Sequence, residues 1–178
     1  MSPLVRLELP LATERLVLRP FTLDDFRAFA SFDAEPEVIR FLARQRRTRG
    51  ETIIALRHVI HTTTTCGHGT YAIILAGAVI GWVGLKPLPL LDDRFEILYG
   101  LGRNHWGKGY AREAAAALME AGFRAGLSQI VAVVHPDNLR SIRVLEALGM
   151  TFEGEIDYPG VEGKVRWYEK AAQAGRRP

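Results

Sequence analysis

The stretch of this chain best suited to chemistry runs from Gly100 to Ala111 and reads Gly-Leu-Gly-Arg-Asn-His-Trp-Gly-Lys-Gly-Tyr-Ala. Gly107 and Gly109 stand just before Ala111, Ala114, Ala115, Leu118, Met119 and Gly122, which repeat at helical spacing. A helix beginning there offers unpaired N–H groups and the positive end of its dipole, and glycine keeps side chains out of the way, so the turn suits a phosphate. Gly102 to Lys108 follows the first seven positions of the nucleoside-triphosphate loop, but Gly109 stands where that loop needs a Ser or Thr for magnesium. The next hydrophobic strand, Ile130 to Val134, also meets His135 and Pro136 rather than an acidic residue. A dinucleotide turn fits less well, since its glycine spacing differs and no third glycine follows Gly109. His58 and His61 stand three apart with His68 beyond, yet no third ligand is placed to close a metal site, so no metal is expected.

These residues need a strand, a turn and a helix to hold them. Phe95, Ile97, Tyr99 and Leu101 alternate with Glu96, Leu98 and Gly100, the period of a strand feeding the turn. Gly100 inside it marks a bulge or a close approach to the backbone. Upstream, Thr13 to Phe21 alternates as a first strand ended by Pro20. Thr22 with Asp25 makes a capping box for a helix carrying Phe26, Phe29 and Ala30, and Glu35-Pro36 opens a short helix through Phe41 and Leu42. Glu51 to Thr64 continues as a helix with Ile53, Ile54, Leu56, Val59 and Ile60. Thr70 to Leu75 and Ala78 to Leu85 form a hairpin about Ala76-Gly77, and the two prolines between Lys86 and Arg94 predict an irregular segment. Gln129 to Val134 is a buried strand. A helix with Ile142, Val144, Leu145 and Leu148 inward follows it and ends at Gly149. Thr151 to Tyr158 and Lys164 to Lys170 make a last antiparallel pair, and the end of the chain is a frayed basic tail.

Composition narrows the class. A length of 178 residues suits one domain spanning 1–178, with 171–178 as a flexible tail. Hydrophobic residues at 48% and charged residues at 24% describe an ordinary globular chain, and 23 Lys and Arg against 20 Asp and Glu leave a charge of +3, too small to imply a nucleic-acid protein. Arg40, Arg44, Arg46, Arg47 and Arg49 form the densest basic run, read as a solvated rim, with recruitment of an acidic segment, RNA or an anionic small molecule as the alternative. A single cysteine, Cys66, excludes an internal disulfide and suits a reducing compartment, and no stretch approaches a membrane span, so a cytoplasmic protein is expected.

Three blocks carry a family resemblance. Asn104-His-Trp-Gly107-Lys-Gly109-Tyr-Ala111 resembles the acetyl-coenzyme A diphosphate loop of the GCN5-related N-acetyltransferases (GNAT), in its form closest to the acetyltransferases of ribosomal-protein N-termini. His135-Pro-Asp-Asn138-Leu-Arg-Ser141 through Leu148-Gly149-Met is similar to that branch's Asn-x-x-Ser helix. Ala12 to Asp25 and Glu35 to Leu42 look like its opening strand and first helices. The resemblance implies a mixed α/β fold of α+β type, with a central, mostly antiparallel sheet of six to seven strands, splayed at its middle and flanked by helices.

It also implies roles. Leu98, Tyr99, Gly100 and Leu101 match the positions whose main chain pairs with the pantetheine arm. The N–H groups of Trp106, Gly107, Lys108, Gly109, Tyr110 and Ala111 would cradle the diphosphate, with Arg103, Lys108 and Arg112 supplying charge. An amine attacks the thioester carbon, so a base, an oxyanion donor and a sulfur donor are needed. Glu96 matches the base and a backbone N–H near Leu98 or Tyr99 the oxyanion donor. The wider family's sulfur-side tyrosine is Leu145 here, which cannot donate; Ser141 stands where the ribosomal-protein branch has its serine, so the resemblance implies that Ser141 hydrogen-bonds the leaving sulfur, with Asn138 holding the pantetheine amide or capping its helix. The expected activity is acetyl transfer from acetyl-coenzyme A, as cosubstrate, to an amine. Protein N-termini, small amines and antibiotics stay open as acceptors, as does a catalytically silent acyl-coenzyme A-binding module. The first helices would wall the acceptor cleft; neither a membrane nor nucleic acid is an expected partner, and a homodimer is compatible with the family.

Overall fold

The computed structural model describes residues 5–41, 46–92 and 94–172, with backbone alone for Asp33. Strands β1 (Leu11–Ala12) and β2 (Val17–Pro20) precede helices α1 (Phe26–Ala34), α2 (Pro36–Ile39) and α3 (Arg49–Cys66). Then come β3 (Gly69–Leu75), β4 (Ala78–Leu88), β5 (Arg94–Leu101), α4 (Tyr110–Arg124), β6 (Gln129–Val134), α5 (Leu139–Ala147), β7 (Thr151–Asp157) and β8 (Lys164–Ala171). One eight-stranded sheet runs in the order β1-β2-β3-β4-β5-β6-β8-β7. Every neighbouring pair is antiparallel except β5 and β6. The two-residue β1, paired through Leu11 and Leu18, takes the count past the expected six to seven.

The hairpin forms as its residues dictate: Ala76 and Gly77 both take positive φ, 47° and 82°, the turn whose twist matches paired strands. Alternation along β3 divides two layers. Tyr71 and Ile73 enter the main core with Ala114, Ala115 and Leu118 of α4 and Ile142 and Leu145 of α5, while Ala72 joins Phe21, Phe29 and Leu56 on the α1–α3 side. Burying Leu118 completely is worth about 1.5–3 kcal/mol. Small residues let α4 approach the sheet closely, since a Cβ on Gly122 would sit 2.6 Å from Leu85. The Schellman close of α5 is complete, with Gly149 at φ 72°, its N–H on Glu146 and the Met150 N–H on Leu145.

Five expectations change, the first being that α2 stops at Ile39 instead of running through Phe41. The Lys86 to Arg94 segment is largely regular: β4 runs through Pro87 to Leu88, paired with β5. Pro87 is tolerated because β3 ends opposite Leu85, so the missing N–H faces no neighbour. The bulge sits on β4, where Ile80 is the extra residue between the pairs Ile73–Gly81 and Ile74–Val79, whereas Gly100 keeps unbroken register with Trp82. Gly100 is a close approach instead, because a Cβ there would meet the Trp82 indole at 2.7 Å. The first strand is shorter than Thr13 to Phe21. Finally, the start of the expected tail is paired, Ala171 with Gln129 and the Ala172 N–H with the Ser128 carbonyl.

The basic run is partly packed rather than free. The Arg40, Arg47 and Arg49 guanidiniums lie 5.0, 5.1 and 5.6 Å from the ring centres of Phe41, Phe29 and Phe26. Leu42, Arg44 and residues 173–178 lie outside the described residues. Among the described residues no helix is long and apolar enough to cross a membrane.

Candidate active site

The site is built on a strand pair that fails to stay paired. β5 and β6 are parallel, and their register holds only at Phe95–Ile130 and Glu96–Val131. Beyond those pairs the strands part, and a cleft of about 630 Å³ opens between them, reaching the phosphate turn, α2, α5 and the β7–β8 loop.

Main-chain direction along β5 decides what that gap offers. A Cβ on Gly81 of β4 would sit 2.3 Å from the Gly100 carbonyl, so Gly100, and with it Leu98 at the same parity, turns its main chain toward β4. Tyr99 turns the other way, toward the gap. Leu101 shares that direction, but its carbonyl already accepts the Trp106 indole N–H at 2.8 Å. Of the four residues expected to present main chain, Tyr99 turns both its N–H and its C=O toward the gap and Leu101 keeps its N–H there.

The phosphate turn forms as its glycines require. Gly107 and Gly109 take φ of 74° and 82°, and Gly109 caps α4 in a left-handed conformation that a side chain would strain. A Cβ on Gly107 would meet nothing within 4 Å, so its positive φ, and not lack of space, is what favours glycine there. The Trp106 N–H is not available, because it donates to the Arg103 carbonyl at 3.1 Å. That removes Trp106 from the expected cradle and leaves Gly107, Lys108, Gly109, Tyr110 and Ala111 as its candidates.

The expected cations shift as well. Arg103 pairs with Glu37 at 2.8 Å, and Lys108 Nζ donates to the Asn104 carbonyl at 2.9 Å. Arg15, also nearby, is held by Glu113 at 2.6 Å and lies over Tyr110. Arg112 keeps its place on the cleft, joined by Arg140 and Arg143 of α5. Among the described residues none of these three meets a carboxylate, and Arg140 lies 3.8 Å over the Trp106 ring, tying α5 to the turn. The sequence did carry a signal for the pair, since residues 140 and 143 are three apart on one face of a helix.

Glu96 is 5% exposed, and burial pushes its carboxyl up to about 7, opposed by Lys86 across the β4–β5 pair and then by the Val133 backbone. On the other face of β5 stands Tyr99, whose hydroxyl lies 3.0 Å from Ser141 Oγ and donates to the Ser141 carbonyl at 3.2 Å when its proton points that way. Burial raises the Tyr99 phenol above its ordinary range, so it stays protonated. Asn138 caps α5, its Oδ1 accepting the Ser141 N–H at 3.3 Å. Tyr158, which sequence reasoning placed only at a strand end, lines the cleft beside Glu96, and burial and that carboxylate both raise its phenol.

These features fit an extended thioester nucleotide: an open strand edge, a glycine cradle at a helix N-terminus and unpaired guanidiniums beside it. Comparison with known proteins agrees. The family model described as an acetyltransferase (GNAT) domain matches residues 15–151. An N-acetyltransferase of Bacillus licheniformis, p20, is 34% identical over 160 residues, covering 87% of this chain and 90% of the relative. The crystal structure of an acetyltransferase from Agrobacterium tumefaciens superposes with a TM-score of 0.79 at 31% identity, covering 93% of this chain and 96% of that one. The ribosomal-protein alpha-N-acetyltransferase RimL in complex with coenzyme A shares the fold, at TM-score 0.80 and 20% identity, over 92% of this chain and 98% of that one.

Proposed function

The chain belongs to the GNAT acetyltransferase family and transfers acetyl from acetyl-coenzyme A to an amine, and from that premise we propose that Glu96 takes the amine's proton while Ser141 meets the departing sulfur. One observation carries the reading: Glu96 and the Tyr99–Ser141 pair lie on opposite faces of β5 and both border the gap between β5 and β6. Acceptor and thioester can then meet from opposite sides of the sheet.

Acetyl-coenzyme A supplies an activated acetyl group. The chain's part is to hold and orient it: the N–H groups of Gly107 to Ala111 take the diphosphate, and Arg112, Arg140 and Arg143 balance its charge. The Tyr99 N–H, turned into the gap, is the oxyanion donor. Burial pushes the Glu96 carboxyl up to about 7, so a carboxylate is accessible near neutral pH to accept a proton from an ammonium. Ser141 Oγ–H points its proton at the sulfur, and Tyr99, whose hydroxyl stays protonated, donates to Ser141 Oγ behind it. Asn138 holds the turn that places Ser141.

The acceptor is an amine, on a protein N-terminus or on a small molecule such as an antibiotic. We take residues 1–178 as one acetyltransferase domain working in the cytoplasm, where a lone exposed Cys66 stays reduced, and as able to form a homodimer. The test is thiol release from acetyl-coenzyme A with mass detection of the acetylated product. The reading expects turnover that Glu96→Gln and Ser141→Ala each reduce; coenzyme A binding with no turnover on any amine would instead mark a silent binding module.

A further inference from the structure

The acceptor end of the cleft has a chemistry of its own. It lies on the face of β5 that carries Glu96, Leu98 and Gly100, and three aromatic residues from separate elements wall it: Phe41 beyond α2, Trp82 on β4 and Tyr158 after β7. The Trp82 indole packs against Gly100, where an added Cβ would come within 2.7 Å of its ring. Phe41 packs against His135, which also lines the cleft, with ring centres 5.3 Å apart and planes tilted by 33°. Tyr158 stands close enough to Glu96 to feel its charge.

Carboxylates are scarce here. Among the described residues of this end only Glu37 and Glu96 are acidic, and Glu37 is neutralised by Arg103 at 2.8 Å. Glu96 faces Lys86 and serves the reacting amine. At the rim, Arg40 rests 5.0 Å over the Phe41 ring. A polyamine or aminoglycoside would bring further ammonium groups into an apolar, rim-basic space with no carboxylate to receive them, and unpaired charge out of water binds poorly. A single amine on a flat apolar body would instead fill the aromatic walls.

Resting on the acetyltransferase reading, we infer that the acceptor is a monoamine carried on an aromatic or bulky apolar group and held between Phe41, Trp82 and Tyr158. Thiol release is measured with tryptamine, phenylalanine amide, a Phe-initiated peptide, spermidine and kanamycin, alongside calorimetric binding of coenzyme A to the same preparations. The aromatic monoamines are expected to exceed spermidine and kanamycin at least about tenfold in kcat/KM, and Phe41→Ala to raise their KM about tenfold with coenzyme A affinity unchanged. Turnover of the free amide alone assigns a small-molecule acceptor, equal turnover of the peptide assigns a protein N-terminus, and both uphold the inference. Preference for spermidine or kanamycin, or coenzyme A binding without acetylation of any aromatic amine, overturns it and leaves the family activity standing. Failure to bind coenzyme A would overturn the parent reading as well.

Discussion

The Tyr99 hydroxyl lies 3.0 Å from Ser141 Oγ, joining a central strand to the helix that follows β6 across 42 positions of sequence. The resemblance implied a role only for the Tyr99 main chain, yet its side chain also sets a phenol beside Ser141, while position 145 is a leucine. If Ser141 meets the sulfur and Tyr99 acts through it, the two substitutions should not add. Ser141→Ala is expected to lower kcat about tenfold to a hundredfold and Tyr99→Phe about tenfold, with the double variant no slower than Ser141→Ala. Steady-state kinetics with coenzyme A affinity measured separately checks this; additive losses would place Tyr99 in an independent role.

Glu96 predicts two opposite pH responses. Only its carboxylate accepts a proton, so kcat/KM should rise with pH through about 7, and Glu96→Gln should abolish that limb. Stability runs the other way. With its folded pKa raised from 4.5 to about 7, Glu96 contributes most below the lower value, and that contribution is lost as pH rises through the upper one. Glu96→Gln should therefore gain stability relative to the parent above pH 7, as thermal unfolding at several pH values would show.

Charge at the cradle separates used from unused arginines. Arg140→Gln and Arg143→Gln are each expected to weaken coenzyme A about threefold to tenfold and to flatten the dependence of log Kd on log salt. Arg103→Gln should change little, because Glu37 already holds that side chain. Titration calorimetry at two salt concentrations distinguishes them, and an equal loss at Arg103 would return that arginine to the site.

Asp25 is the stability counterpart. It accepts two hydrogen bonds from Arg19, at 2.7 and 2.9 Å, and one from the Thr22 N–H at 2.8 Å. The Arg19 hydrogen bonds hold its carboxyl below the ordinary value of 3.8, so its contribution is full above that pH and is lost as pH falls below it. Asp25→Asn leaves Arg19 short of a partner and should cost about 2 kcal/mol, roughly 4–8 °C in Tm. The gap between variant and parent should shrink in acid, measured by calorimetric scans at neutral and acid pH.

Local rules wrote much of this protein in advance. Gly107 and Gly109 announced a tight turn into a helix, Thr22 with Asp25 a helix start, Ala76-Gly77 a hairpin and Asn138 a cap, because each depends on residues only a few positions apart. The alternation that buries Phe95, Ile97 and Leu101 and turns Glu96 to the other face was equally plain. What only the tertiary structure decided is who meets whom across distance. Periodicity carries no information about where β5 leaves β6, which way the Tyr99 hydroxyl reaches, or that Arg103 is claimed by Glu37 while Arg140 settles on Trp106. Those outcomes depend on sheet register and on competition among charges from separate elements, and neither exists until the elements have packed.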